Sequence, residues 1–269
     1  MHLTIAILVS LYSNLLKHKL TLASTVIALI ISAYFYSNKP YFLFLIGGII
    51  FVYFLTLVFG SGLIQLNYFV NSINKGTNKG IALTFDDGPN PIITPQILDI
   101  LAKENIKASF FVIGHKIEEQ KELLNRIYSE GHTIGNHSFS HTKQLTTSST
   151  KKLIEDFSLC SETIKNVINE NPLFFRPPFG VTNPRYNRAI KNLNMMSIGW
   201  SVRSLDTKTN DVAKLYNRTI KKISTGSILL FHDTQEVTVE VLPKIIKYCK
   251  NNGINIVSLP ELINEKSYE

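Results

Sequence analysis

Two adjacent carboxylates, Asp86 and Asp87, close an apolar run over residues 81–85 and are followed at once by the chain-turning pair Gly88-Pro89. Neighbouring side chains along a strand point to opposite faces, so the two aspartates can take different jobs. One could bind a metal while the other handles a proton. The competing reading is a strand that stops at an Asx-type turn, because Asp and Gly are ordinary turn residues.

A second candidate lies in Gly135-Asn136-His137-Ser138-Phe139-Ser140-His141. Histidines four apart meet on one face if the loop makes a helical turn, and both imidazoles can then address one cation. With one carboxylate added they make a two-His, one-Asp set, which leaves coordination positions open for water and substrate. Further on, Arg176-Pro177-Pro178-Phe179-Gly180 fixes a guanidinium in a rigid backbone, suited to orienting a carboxylate such as Asp86. Leu229-Leu230-Phe231-His232-Asp233 ends an apolar strand on a titratable ring, a candidate general acid.

The elements that must position these groups follow from the pattern of the chain. Strand-like runs at 81–85, 108–113, 132–136, 173–176, 195–202, 227–232 and 254–258 alternate with amphipathic stretches near 94–104, 116–130, 148–168, 184–193, 211–223 and 237–250. Repeated strand then helix predicts a parallel sheet with right-handed crossovers, closed as a compact barrel or doubly wound. Thr94-Pro95 reads as a helix start, and Gly131 and Gly253 stand where a left-handed residue ends a helix. In such folds functional groups gather at the carboxyl ends of the strands. Asp86-Asp87, His137, Arg176, Asp206 and His232 fall at successive strand ends, so their convergence is the expectation.

The first part of the chain is of another kind. Residues 1–66 contain no Asp or Glu and only Lys17, Lys19 and Lys39 as cations. Residues 20–37 and 41–59 are uncharged, each near the ~20 residues that cross a bilayer core, with Asn38-Lys39-Pro40 as the turn of a membrane hairpin. Residues 3–16 form a shorter apolar run, an interfacial segment or a third span. No small-residue cleavage site precedes a polar start, which disfavours a cleaved signal peptide. Lys17, His18 and Lys19 hint that their end is cytoplasmic, while three spans would place the two ends on opposite sides. The domain plan is therefore membrane helices over 1–66, a linker over 67–79 and a soluble domain over 80–269.

The formal net charge is +8, carried mostly on the soluble part. Its Lys and Arg are interspersed with acidic residues and form no long basic run, so nucleic acid is not the expected partner. Anionic lipid or cell-wall polymer is the milder use of this charge. No protein partner is identifiable. Cys160 and Cys249 form no Cys-x-x-Cys pair and read as buried thiols.

Taken together, residues 84–89, the His137/His141 pair, residues 176–180, 200–206 and 229–233 resemble, in order and spacing, the five motifs of polysaccharide deacetylases with the NodB homology domain, carbohydrate esterase family 4. The resemblance spans residues 79–263. It implies a distorted (β/α)7 barrel and metal-dependent removal of N-acetyl groups from amino-sugar polymers. Carried over by residue, it implies Asp87, His137 and His141 as ligands of zinc or another divalent metal, and Asp86 as base. Arg176 would orient Asp86, Asp206 would support His232, and His232 would be the acid. The backbone N–H near Phe179 would help hold the oxyanion, and Leu230 would line the acetyl pocket. Arg203 and Thr207 depart from the pattern, which often has Asp and Trp there, and this suggests a variant substrate or groove. The resulting expectation is a deacetylase anchored in the bilayer through residues 20–59, its catalytic domain outside the cytoplasm, acting on an N-acetylglucosamine polymer such as peptidoglycan. Its rivals are a deacylase of a lipid-linked sugar, an O-acetyl glycan esterase and a non-catalytic metal-containing glycan binder.

Overall fold

The computed structural model describes residues 2–269, with side chains from Leu16 onward. The run 3–16, Leu16 apart, lies outside the described side chains. Helices α1 (His2–Tyr36) and α2 (Phe42–Gly62) form an antiparallel hairpin. Within them Leu16–Tyr36 and Phe42–Gly62 are long and apolar enough to cross a membrane, and almost none of either stretch is buried inside the protein.

The strands are β1 (Ser72–Ile73), β2 (Ala82–Gly88), β3 (Ser109–Val112), β4 (Thr133–Asn136), β5 (Phe174–Phe175), β6 (Met196–Ile198), β7 (Val202–Arg203) and β8 (Ile228–His232). They pair in parallel in the order β1-β6-β5-β4-β3-β2-β8-β7. The predicted strand 195–202 is broken in two. Its first part pairs with β5 and its last with β8, so one stretch of chain joins both ends of the curled sheet. This is the distorted (β/α)7 barrel.

The helices around it are α3 (Ile93–Lys103), α4 (Gly114–Ile117), α5 (Lys121–Ser129), α6 (Thr150–Ile168), α7 (Pro184–Asn192), α8 (Val212–Ile220), α9 (Glu236–Asn251) and α10 (Leu259–Ile263). Side-chain alternation sorts the apolar residues into two layers. Leu83, Phe85, Phe110, Leu229 and Phe231 pack outward against the helices, with Cys160 and Cys249 in the same layer, while Ala82, Phe111, Phe174, Ile198 and Leu230 fill the interior. Both faces of β2 and β8 are covered, which is why these strands read as unbroken apolar runs.

Three sequence expectations are amended. Residues 254–258 make only a single parallel bridge, Ile81 to Ile256, rather than a strand. Thr94 does not cap α3: Asn90 Oδ1 accepts from the N–H groups of Ile92 and Ile93, and Thr94 is drawn to Asp233 instead. Residues 67–79 are packed rather than extended as a tether, with β1 paired to β6 and Phe69 and Val70 buried. By contrast, Gly131 (φ 81°) and Gly253 (φ 65°) adopt the left-handed conformation expected after α5 and α9.

Candidate active site

Ala82, Thr84 and Asp86 share the inward face of β2. Asp86 is 4% exposed and accepts from Arg176 Nη1 at 2.7 Å. Arg176, itself fully buried, also donates to Thr84 Oγ1, Ile198 O and Gly199 O, and its guanidinium lies 4.0 Å from the Phe111 ring centre. Burial pushes the guanidinium pKa down and the Asp86 charge opposes that shift. All three nitrogens of the fork are engaged, so Arg176 is fixed in place and holds Asp86 there.

Asp87 does not merely face the other side of a regular strand. The β2–β3 register slips between Asp86 and Gly88, and Asp87 is the extra residue of a bulge at φ 74°. Lys116 Nζ donates to its carbonyl at 2.7 Å. The bulge turns the Asp87 carboxylate toward the histidines: Oδ1 lies 3.4 Å from His137 Nε2 and 3.3 Å from His141 Nε2. Burial raises the Asp87 pKa, but His137, His141 and His232 together hold it well below the ordinary carboxylate range.

His137 and His141 meet without the predicted helical turn. Ser138 (φ 68°) and His141 (φ 45°) fold the loop back through left-handed conformations, leaving the ring centres 4.8 Å apart. Distant and neighbouring groups impose this shape. The Asp156 carboxylate on α6 accepts from the N–H groups of Phe139 and Ser140, and Asn136 Oδ1 accepts from Ser138 N–H. Asp156, Asn136 and Lys116 escaped the sequence reading; Asp156 carries no local signal of its role, whereas Asn136 abuts His137.

The ligand atoms of Asp87, His137 and His141 lie within 4.8 Å of one another. His137 Nδ1 bonds the Arg176 carbonyl at 2.7 Å, so Nδ1 carries the proton and the Nε2 lone pair points to the cluster. His141 Nε2 is buried without a hydrogen-bond partner, and burial holds its pKa down at about 4, keeping the ring neutral as a ligand must be. This donor set fits a divalent metal ion.

His232 ends β8. Its Nδ1 donates to Asp206 Oδ1 at 2.8 Å, while Asp206 Oδ2 accepts from His232 N–H and Thr238 Oγ1. The free Nε2 lies 4.0 Å from Asp87 Oδ2. Burial lowers the His232 pKa, but the bond to Asp206 and the charges of Asp206, Asp86 and Asp87 outweigh it and raise it to about 9. The Phe179 ring, at φ 60° in its turn, stands 4.7 Å from His141, and Leu230 is buried within the barrel beside Trp200. All nine sequence candidates thus gather at one end of the barrel.

Gly88 completes the floor. A Cβ there would lie 2.0 Å from Asp233 Oδ2, whose carboxylate is buried and bonded by Thr94 Oγ1. Gly88→Ala is expected to cost about 1–3 kcal/mol through overpacking, read as a lower denaturant midpoint at unchanged slope.

Residues 73–198 match the family model for polysaccharide deacetylases, a span that holds the Asp86, His137, His141 and Arg176 motifs. A peptidoglycan-N-acetylglucosamine deacetylase of Bacillus cereus is 35% identical over 193 residues, covering 70% of this chain and 90% of that protein. The chain belongs to the polysaccharide deacetylase family. A second relative, the Listeria monocytogenes peptidoglycan-N-acetylglucosamine deacetylase PgdA, is 34% identical over 71% of this chain, but the match spans only 40% of its own length. The crystal structure of the Bc1960 peptidoglycan N-acetylglucosamine deacetylase superimposes with a TM-score of 0.70 at 32% identity, covering 73% of this chain and 94% of that one. The hairpin α1–α2 lies before the residues that the family model matches.

Proposed function

We propose that this chain is a membrane-anchored, metal-dependent hydrolase that removes N-acetyl groups from an N-acetylglucosamine-containing envelope glycan. The observation that carries this reading is the pairing of two differently held aspartates: Asp86 clamped by Arg176 inside the barrel, and Asp87 turned out by a bulge onto His137 and His141. Mere metal binding would not require the second carboxylate. Asp87, His137 and His141 would hold the ion, zinc or a similar divalent metal, which when bound supplies Lewis acidity and a lowered pKa for water.

The chain's own groups do the rest. Asp86, held in place by Arg176, takes a proton from the attacking water. The backbone N–H near Phe179 donates to the oxyanion, an interaction worth roughly 2.7–4 kcal/mol in comparable sites. His232 gives a proton from Nε2 to the leaving amine, with Asp206 fixing the ring through Nδ1. Leu230 bounds the space for the acetyl methyl. Water adds to the carbonyl, the C–N bond breaks, and acetate and a free amine depart.

Acetate release by the full chain from N-acetylated glycans, lost on chelation and restored by zinc, tests the reading. Release only from O-acetyl esters, or glycan binding without turnover by the metal-loaded protein, would overturn it. The pH profile tests the acid. His232 must be protonated to donate, so activity should fall as pH rises through about 9. In Asp206→Asn the hydrogen-bonded charge is gone and only Asp86 and Asp87 still oppose the lowering by burial, so the alkaline limb should move down from about 9 toward the ordinary 6.5. An unmoved limb, with the same metal in both proteins, would remove His232 from the acid role.

A further inference from the structure

The apolar hairpin is seated on the wall of the site. In the last turns of α2, Leu57 packs against the cluster that contains Phe69, Leu145 and Tyr186, and Gly60 lies so close to the Tyr68 ring that a Cβ would sit 2.5 Å from it. Ser61 exchanges two hydrogen bonds with Thr182, Oγ to O at 2.7 Å and O from N–H at 3.0 Å. Gln65 Nε2 donates to Trp200 O, and buried Ile64 joins the interior cluster with Trp200 and Leu230. On α1, Lys17 Nζ reaches Asn67 O and the His18 ring packs on Tyr68 and Phe69. Thr182, Leu145 and Trp200 all lie on loops that follow strand carboxyl ends, the end that carries Asp86, Asp87, His137 and His232. The far side of the Trp200 ring faces the site: Gly180 lies against it and the Arg176 guanidinium is 5.9 Å from the ring centre.

A second feature of that wall points the same way. Arg203, exposed at the end of β7, has its guanidinium carbon 5.7 Å from the centre of the Trp200 ring. A guanidinium attracts a phosphate and can bind it in two-point fashion. A hairpin fixed to the rim and an exposed cation beside Trp200 together describe a mouth that opens at a bilayer surface and receives an anion. We infer that the substrate is an N-acylated amino sugar still carried on a membrane lipid through a phosphate or diphosphate. This rests on the membrane-anchored deacetylase reading above. Holding enzyme and acceptor in one bilayer turns their encounter into a local one at high effective concentration. The step is the same hydrolysis, with acetate released and the amine left on the lipid-linked sugar.

The test uses the full chain, zinc-loaded, in liposomes of bacterial polar lipid. Three acceptors are compared: N-acetylglucosamine on a polyprenyl diphosphate, the same sugar diphosphate on a short water-soluble alkyl chain, and chitobiose. The expected order of kcat/KM is that order, with the lipid-linked acceptor at least about tenfold above chitobiose, and Arg203→Asp shrinking that ratio several-fold. Equal rates on the lipid and alkyl acceptors, or faster turnover of chitobiose, would overturn the inference and leave the deacetylase reading standing. Turnover of none would remove both. Orientation is checked separately with a fluorophore on Gln144→Cys, exposed in the loop after β4, and on Asn252→Cys, exposed at the opposite end of the barrel. Native Cys160 and Cys249 are buried and stay unlabelled. Quenching by headgroup-labelled lipid at 144 and not at 252 is expected; the reverse, or equal quenching, would overturn the placement.

Discussion

Asp86→Asn is expected to reduce acetate release by about 10²–10⁴-fold while the protein still binds its metal. Asn keeps the volume and one acceptor for Arg176 Nη1 but cannot take a proton from water. The candidate ligand atoms lie on Asp87, His137 and His141 and are untouched by the change. The cost to folding is bounded, because Arg176 retains Thr84 Oγ1, Ile198 O and Gly199 O as acceptors. Metal content and a melting curve must accompany the assay, so that loss of the fold is not read as loss of the base. Retained turnover in a metal-loaded, folded Asp86→Asn protein would sink the mechanism.

Arg176→Met should instead be the most damaging substitution to stability. It leaves the Asp86 carboxylate at 4% exposure with no cation beside it. Removing one partner of a buried pair typically costs about 3–5 kcal/mol. It also deprives Ile198 O and Gly199 O of a donor at the bend between β6 and β7. The double replacement Arg176→Met with Asp86→Leu separates the two effects. Stability should return in large part, since an apolar pair of similar volume is often as stable as the buried ion pair it replaces, and activity should not. If the double variant is as unstable as Arg176→Met, the damage comes from the lost carbonyl contacts rather than from the orphaned charge. The His137 ring is partly insulated from these changes, because its Nδ1 partner is the backbone carbonyl of residue 176.

The hairpin gives the same residues a second setting. Its end is hydrogen-bonded to Thr182 and Trp200 instead of being joined by a loose tether, so the domain has one orientation with respect to α1 and α2. Lys17 therefore lies on the same side of the hairpin as the catalytic domain. With two spans the charge hint from Lys17 to Lys19 and an extracytoplasmic domain pull in opposite directions, and protease accessibility of the domain in intact cells decides between them.

Much of the site was legible because a parallel strand-helix chain delivers its strand ends to one face. Asp86, His137, Arg176, Asp206 and His232 could be assigned to that face from the alternation of apolar runs alone, and the apolar hairpin from its lack of charge. Period and composition are local properties, and they report local structure. What they could not report depends on contacts between segments far apart in the chain. The bulge that aims Asp87 exists because β2 and β3 pair out of step beyond Asp86. The loop that brings His137 to His141 is held by Asp156 on α6. Residues 67–79 look like a linker by composition but are packed through β1 and Phe69. The sequence by itself determined which groups meet at the end of the barrel; the tertiary structure decided which way each points. Hydrogen bonds between distant segments set those directions, and no periodicity encodes them.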